Sequence, residues 1–118
     1  MAKYLVTGAA GFIARRLIEE LINRGDQVVG IDNINDAYDV RIKLWRLEQL
    51  KRLEKFTFIK DDICRQEMFA DLQREHPHFD AVFHLAARAG VRQAVEIPRV
   101  FLETNANGTL NVRMYWWP

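Results

Sequence analysis

Four short apolar runs alternate with segments of helical period along this chain of 118 residues, and this alternation constrains the fold more than any other feature. The runs are residues 4–6, 28–31, 56–59 and 81–85. The helical segments between them are residues 12–24, 40–54 and 65–76. Short, continuously apolar runs are typical of strands buried on both faces. The order predicts an α/β fold: a Rossmann-like, doubly wound parallel sheet limited to about four strands with flanking helices.

Composition is that of a single globular domain over residues 1–118. Hydrophobic residues make up 49% of the chain and the formal net charge is +1, which excludes a disordered chain and gives no attraction to nucleic acid. No apolar run reaches the roughly 18 residues of a membrane span, so we expect no membrane association. Cys64 is the only cysteine, which excludes an intramolecular disulfide and predicts a reducing, cytoplasmic setting.

Several residues that could bind a ligand lie at the ends of the predicted strands. A sheet built from βα units has right-handed crossovers, and the strand order expected here is 3-2-1-4. Ligands of such sheets bind beyond the carboxyl ends of the strands. Gly8, Asp32, Asp62 and Leu85 all fall at these ends, so we expect them to converge on one site.

A glycine-containing turn connects the first strand to the first helix. Gly8, Gly11 and Ala14 form a G-x-x-G-x-x-A pattern. Gly8 permits a tight turn, Gly11 lets the backbone approach a pyrophosphate, and a small third residue lets the helix lie near the strand. The unpaired N–H groups of the first helical turn suit a phosphate. By itself the pattern also fits an ordinary βα turn that happens to use glycine.

Asp32 favours dinucleotide binding over an ordinary turn. It ends the second strand roughly 20 residues after the glycines, where a carboxylate accepts hydrogen bonds from the hydroxyls of an adenosine ribose. A carboxylate there also repels a 2′-phosphate, so NAD is favoured over NADP. Taken alone, Asp32 could equally be a solvated loop acid, and only its position after the glycine turn indicates a cofactor.

Five segments carry a resemblance to a known family. They are VTGAAGFIA at 6–14, GIDNINDAYD at 30–39, DDI at 61–63, HLAARAGV at 84–91 and NANGTLNV at 105–112. Together they resemble the extended short-chain dehydrogenases/reductases of the NAD-dependent epimerase/dehydratase family, over residues 3–112. The stretch DNINDAYDVRIK and the helix at 40–54 are most similar to the enzymes of that family that epimerise UDP-glucuronate at C4.

This resemblance implies a set of contacts with NAD. The implied cofactor-binding residues are Gly8, Gly11, Phe12, Ile13, Asp32, Asn33, Asp62, Ile63, Leu85, Ala86, Ala87 and Asn105. The backbone of the glycine turn would hold the pyrophosphate, and Asp32 with Asn33 the adenosine ribose. Residues 62–63 would meet the adenine, residues 85–87 would line the path to the nicotinamide ribose, and Asn105 matches a helix asparagine that supports the active site.

Two departures from the family pattern bear on function. Alanine stands at position 14, where the family usually has glycine, and the added methyl could loosen cofactor binding. The family's proton-transfer pair, Tyr-x-x-x-Lys, does not occur, because Tyr4, Tyr38 and Tyr115 all lack the lysine. We therefore expect a Rossmann half-domain in which the catalytic second half and the sugar-nucleotide domain are absent.

The other residues with reactive or ionisable side chains are interpreted as structural. His84 ends the fourth strand and is interpreted as a satisfied, partly buried histidine, and not as a catalytic base. His76 and His78 lack supporting ligands for a metal, and Cys64 has no redox partner. Of the adjacent acids 61 and 62, one is expected to contact a ligand and the other to be solvated, because neighbouring strand residues point in opposite directions.

These observations predict the NAD-binding N-terminal portion of a nucleotide-sugar epimerase or dehydratase, inactive by itself. A UDP-sugar would be a partner only if the missing half were supplied. The alternative is a non-catalytic remnant that acts through self-association, as a homodimer, or by pairing with another chain; Trp116 and Trp117 are its candidate contacts. A third hypothesis, an NADP-dependent reductase fragment, is disfavoured by Asp32.

Overall fold

The computed structural model describes residues 1–34, 40–87 and 91–116, with only the backbone at 91–93. The strands are β1 (Lys3–Thr7), β2 (Gln27–Asp32), β3 (Phe56–Lys60) and β4 (Ala81–His84). The α-helices are α1 (Phe12–Asn23), α2 (Val40–Lys51), α3 (Gln66–Glu75), α4 (Val91–Glu96), α5 (Pro98–Leu102) and α6 (Thr109–Trp116). A π-helical segment, Glu103–Gly108, lies between α5 and α6. The predicted alternation of strands and helices is thereby confirmed.

All four strands form one parallel sheet in the order β3-β2-β1-β4, as predicted. Their carboxyl ends lie level with one another, because Thr7 at the end of β1 pairs with Ile31 on one side and with His84 on the other. The end of β2 continues the row, since Asp32 pairs with Lys60. This register brings the loops that follow the strands into a single line.

Two apolar layers cover the sheet, one on each face. On one face, α1 and α2 pack around Val6, Ile18, Val28 and Leu50. The other face contains a cluster that joins Leu5 and Ile31 to side chains of α3 and α6, including Phe69, Leu72 and Val112. Each strand between the layers contributes apolar side chains to both faces, so its short, continuously apolar sequence follows from burial on both sides.

The apolar spacing within residues 12–24 and 40–54 predicts that Ile13 and Leu44 lie on the inward faces of their helices, and both predictions are wrong. Ile13 is 70% exposed, and the buried residues of α1 are Ala14, Ile18 and Leu21. Leu44 is 52% exposed, and Lys43 takes the inward position on α2. An i, i+3, i+6 spacing rotates by about 60° around the helix at each step, so a run of leucines spaced by three cannot keep to one face.

Helix α6 holds the loop that follows β3. Asn111 donates a hydrogen bond from Nδ2 to the carbonyl oxygen of Ile63 at 2.8 Å. Gly108, at the end of the π-helical segment, packs so closely that a Cβ atom there would lie 2.6 Å from Cδ1 of Ile63. The chain beyond residue 100 therefore positions one of the strand-end loops.

Among the described residues, none of the helices combines the length and the apolar character of a membrane span.

Candidate functional site

A cavity of about 180 Å³ lies at the carboxyl ends of the strands and brings most of the predicted residues together. Nine of the twelve predicted cofactor-binding residues line it: Gly8, Gly11, Asp32, Asn33, Asp62, Ile63, Leu85, Ala86 and Ala87. Four further lining residues are not among the predicted ones: Ile31, Lys43, Asp61 and Thr104. We call this cavity the strand-end groove.

The glycine turn forms one side of the groove. Gly8 has a φ of +71°, in the left-handed region that favours glycine, and its carbonyl accepts a hydrogen bond from the N–H of Gly11 at 2.9 Å. A Cβ atom on Gly8 would lie 2.8 Å from the backbone nitrogen of Ala86. The turn and the loop that follows β4 are thus in direct backbone contact, which only glycine permits at this position.

Helix α1 begins beside the groove with an open N-terminus. Gly11 is its N-cap residue, and no side chain caps the helix. A Cβ atom on Gly11 would lie 3.0 Å from the carbonyl oxygen of Gly8, so a side chain at this position would crowd the turn. Exposed N–H groups at a helix N-terminus carry partial positive charge and attract an anion. The turn therefore fits a phosphate group.

Phe12 and Ile13 lie outside the strand-end groove. They are the first two residues of α1 and are 79% and 70% exposed. Both residues line an adjoining cavity of about 360 Å³ that shares Gly8, Gly11 and Leu85 with the groove. The glycine turn thus lies between two neighbouring cavities, one on the side of Asp32 and one at the start of α1.

Asp32 faces the glycine turn. Its Oδ2 atom accepts a hydrogen bond from the N–H of Ala10 at 3.0 Å, and its Oδ1 atom accepts one from the N–H of Ile34 at 2.7 Å. These bonds fix the carboxylate between β2 and the turn. Each carboxylate oxygen has a further lone pair, so the group can still accept hydrogen bonds from a ligand.

Asp62 lines the same groove, in the loop that follows the neighbouring strand β3. Its Oδ1 atom accepts the N–H of Cys64 at 2.9 Å, an Asx turn that shapes the loop after β3. Its Oδ2 atom is 3.4 Å from Nδ2 of Asn33, so the two loops meet at this point. The predicted ribose and adenine residues are therefore neighbours in space.

Asp61 is not the solvated acid that the strand alternation predicts. Arg65 donates to both of its carboxylate oxygens at 3.0 Å, and Oδ1 also accepts the N–H of Asp62 at 2.8 Å. The hydrogen bonds from Arg65 hold the pKa of the Asp61 carboxyl below its usual value. Asp61 and Asp62 both line the groove because the chain has already turned out of β3 at these residues.

Lys43 is a groove residue that the sequence did not indicate. It is only 5% exposed although its side chain is ionisable. It lines the groove together with Asp32, Asp61 and Asp62. A helical pattern assigns a charged residue to the solvent face, so no signal in the sequence distinguishes Lys43 from the other basic residues of α2.

Asn105 and Thr104 lie on the π-helical segment at the far side of the groove. Thr104 lines the groove, whereas the Asn105 side chain is exposed and is not among the lining residues. The main-chain carbonyl of Asn105 accepts a hydrogen bond from the Thr109 hydroxyl at 2.7 Å. A supporting role for the Asn105 side chain stays a prediction.

Cys64 is held as a thiol beside the groove. Burial and the neighbouring Asp62 carboxylate raise the pKa of the Cys64 thiol to about 11, and its sulfur lies 3.3 Å from the carbonyl oxygen of Glu103. We expect alkylation by iodoacetamide at about pH 8 to be on the order of a hundredfold slower than in the urea-unfolded chain, because little thiolate is present. Mass spectrometry of timed samples measures both rates; equal rates would contradict the prediction.

Comparisons with known proteins agree with this geometry. The model of the family described as GDP-mannose 4,6 dehydratase matches residues 5–114. The UDP-glucuronate 4-epimerase of Thermodesulfobacterium geofontis is 48% identical over 112 residues, which are 95% of this chain and 34% of that relative. UDP-glucuronate 4-epimerase 2 of Arabidopsis thaliana is 42% identical over 92% of this chain and 24% of its own length.

A solved structure extends the likeness to three dimensions. The UDP-glucuronic acid 4-epimerase of Bacillus cereus, crystallised with UDP-glucuronic acid and NAD, superposes with a TM-score of 0.83 at 33% identity. The match covers 96% of this chain and 35% of that one. The chain thus spans only about a quarter to a third of the length of these relatives. Because the family model covers nearly all of its residues, the chain belongs to the GDP-mannose 4,6 dehydratase family, among the NAD-dependent epimerases and dehydratases of the extended short-chain dehydrogenase/reductase type.

Proposed function

We propose that this chain binds NAD across the glycine turn, with the adenosine in the strand-end groove. One observation carries the proposal: Asp32 accepts the N–H of Ala10 at 3.0 Å, so the acid and the glycine turn face the same cavity. A carboxylate in this position recognises the hydroxyls of a ribose whose phosphate lies at the start of α1. The NAD complexes of related epimerases support the choice of cofactor.

The residues present fit a dinucleotide. A cavity of about 180 Å³ is small for a whole ligand of that size, since ligand pockets usually reach about 300 Å³ or more. The adjoining cavity of about 360 Å³ beyond the turn supplies the remaining room. Asp32 and Asn33 would hold the ribose, Asp62 and Ile63 the adenine, and the open N-terminus of α1 the pyrophosphate.

We propose in addition that these 118 residues bind the cofactor without turning over a sugar nucleotide. Bound NAD supplies the hydride acceptor for oxidation of a sugar carbon and the donor for its return. The proton transfer that accompanies these steps belongs, by resemblance, to a Tyr-x-x-x-Lys pair that these residues do not contain. The names of the similar proteins favour UDP-glucuronate as the sugar nucleotide of a complete enzyme of this type.

Isothermal titration calorimetry with NAD tests the binding proposal. We expect saturable heat with one site per chain and weaker binding of NADP, because its 2′-phosphate would approach the Asp32 carboxylate. Heats of NAD injection equal to those of dilution into buffer would contradict the proposal. An epimerase assay with UDP-glucuronate and NAD tests the second part, which measurable turnover would overturn.

A second candidate function is pairing with another copy through β4. This strand bonds to β1 on one side and lies at the edge of the sheet, and all four of its residues are half-buried. Trp116 is 39% exposed nearby on α6, whereas Trp117 lies outside the described residues. Edge strands present unpaired N–H and C=O groups that native proteins usually cover, so the position of β4 at the edge of the described sheet favours association. Sedimentation at several concentrations distinguishes a homodimer from a monomer.

A further inference from the structure

His84 connects three elements around the strand-end groove through a short series of hydrogen bonds. Its Nδ1 atom lies 2.6 Å from Oγ1 of Thr7, the last residue of β1, and its Nε2 atom lies 2.8 Å from Oγ1 of Thr109, the first residue of α6. We call Thr7, His84 and Thr109 the histidine bridge. It joins the ends of β1 and β4 to the helix that follows the π-helical segment.

The proton on each atom of the bridge follows from what its partners can do. Thr109 donates its single hydroxyl proton to the carbonyl oxygen of Asn105 at 2.7 Å. Its oxygen can therefore only accept from His84, and Nε2 must carry a proton. Because a carbonyl oxygen cannot donate, the hydrogen bond between His84 and Thr109 can run in one direction only, from Nε2–H to Oγ1.

The inner end of the bridge is equally constrained. Oγ1 of Thr7 accepts the N–H of Leu85 at 3.0 Å and the N–H of Ala86 at 3.1 Å, which occupies both of its lone pairs. Its proton must then point to Nδ1 of His84, which must be unprotonated. The bridge thus requires the neutral histidine with its proton on Nε2. Burial lowers the pKa of His84, which agrees with a neutral ring.

The bridge acts on the wall of the groove. Thr7 is fully buried and is the direct partner of the two amides that begin the loop 85–87. That loop lines the groove beside Gly8. A His84 ring that was protonated on Nδ1 or rotated would present a third donor to the Thr7 hydroxyl oxygen and would displace one of these two amides from it.

We propose that His84 is a positioning residue: as the neutral Nε2–H tautomer, bridging Thr7 and Thr109, it sets the backbone of residues 85–87 that forms one wall of the cofactor groove. This inference deepens the proposed function, because the benefit to NAD binding rests on it. The tautomer and the order of the loop do not depend on NAD. They can therefore be measured in the free chain.

The test combines NMR spectroscopy with a matched pair of variants at the exposed position Thr109. Thr109→Val removes the outer acceptor with little change of shape, and Thr109→Ser keeps the hydroxyl. Long-range ¹H–¹⁵N correlation should show His84 protonated on Nε2 in the unaltered chain and in Thr109→Ser. A ring protonated on Nδ1, or on both nitrogens at about pH 7.5, would overturn the proposal.

Hydrogen exchange and NAD titration complete the test. In Thr109→Val, the amides of Leu85 and Ala86 should exchange about tenfold faster, and NAD should bind about three- to tenfold more weakly, whereas Thr109→Ser should match the unaltered chain. His84→Leu should have a larger effect if it folds. Unchanged exchange in Thr109→Val would overturn the positioning role. Faster exchange in a chain that never binds NAD would support the bridge and contradict the proposed function instead.

Discussion

Replacing Asp32 by alanine should weaken NAD binding about a hundredfold, because it removes hydrogen bonds from ribose hydroxyls to a charged carboxylate. The same change frees the N–H groups of Ala10 and Ile34, which Asp32 holds at 3.0 and 2.7 Å. It should also reduce the preference for NAD over NADP, because no negative charge would then oppose the 2′-phosphate. Calorimetric titration of both cofactors gives the two affinities.

Asp26→Ala is the matched control for this substitution. Asp26 directly precedes β2, at the end opposite to Asp32, and its carboxylate also accepts a backbone N–H, that of Ala2 at 3.0 Å. Its loss should lower the free energy of unfolding by about 1–3 kcal/mol without changing the ratio of NAD to NADP affinity. If Asp32→Ala lowered both cofactor affinities equally, Asp32 would have only a structural role in the turn.

Gly8→Ala should lower the free energy of unfolding by about 3 kcal/mol or more. The new Cβ would lie 2.8 Å from the nitrogen of Ala86 and 2.9 Å from the carbonyl carbon of Leu85, which are backbone atoms. Neither can move without separating the glycine turn from the loop after β4. The left-handed φ of +71° adds strain for any residue with a Cβ atom. NAD binding should weaken in the same variant, because both segments line the groove.

Gly25→Ala separates backbone strain from the close approach. Gly25 also has a positive φ, +92°, but a Cβ atom there would meet nothing within 4 Å. This variant should lose about 1–2 kcal/mol, the cost of the left-handed conformation alone. Urea denaturation of the two variants at the same pH measures the difference. Equal losses would show that the contact between Gly8 and Ala86 does not constrain the fold.

Only some of the residues that line the groove can be predicted from their spacing in the sequence. The glycines can be recognised because the turn requires their backbone conformation, and Asp32 can be recognised because it ends a predicted strand. Turn conformation and strand ends are both local properties of the chain. The structure places them as expected, with Asp32 on the N–H of Ala10. That they bind NAD remains a proposal. Lys43 and Thr104 reach the same cavity from α2 and the π-helical segment, and no local pattern indicates either one.

The sequence predicts where the helices lie more accurately than it predicts which of their faces are buried. Apolar spacing located α1 and α2 to within a few residues, but it assigned Ile13 and Leu44 to the core, where Ala14 and Lys43 lie instead. Spacing identifies a helix because its period is a property of the backbone. The exact buried row also depends on where the helix crosses the sheet, which is a property of the packed layers.

The order of strands and helices, the parallel sheet and the position of the glycine turn can all be predicted from the residues, because short apolar runs, helical period and glycine conformation act over a few positions. Which side chains share the groove, and which partners the two ring nitrogens of His84 meet, depends instead on how the strands and helices pack together. Thr7 and His84 are 77 residues apart, and Thr109 is 25 residues further along. Only packing brings such distant groups within hydrogen-bonding distance, and a hydrogen bond in turn fixes where each proton lies.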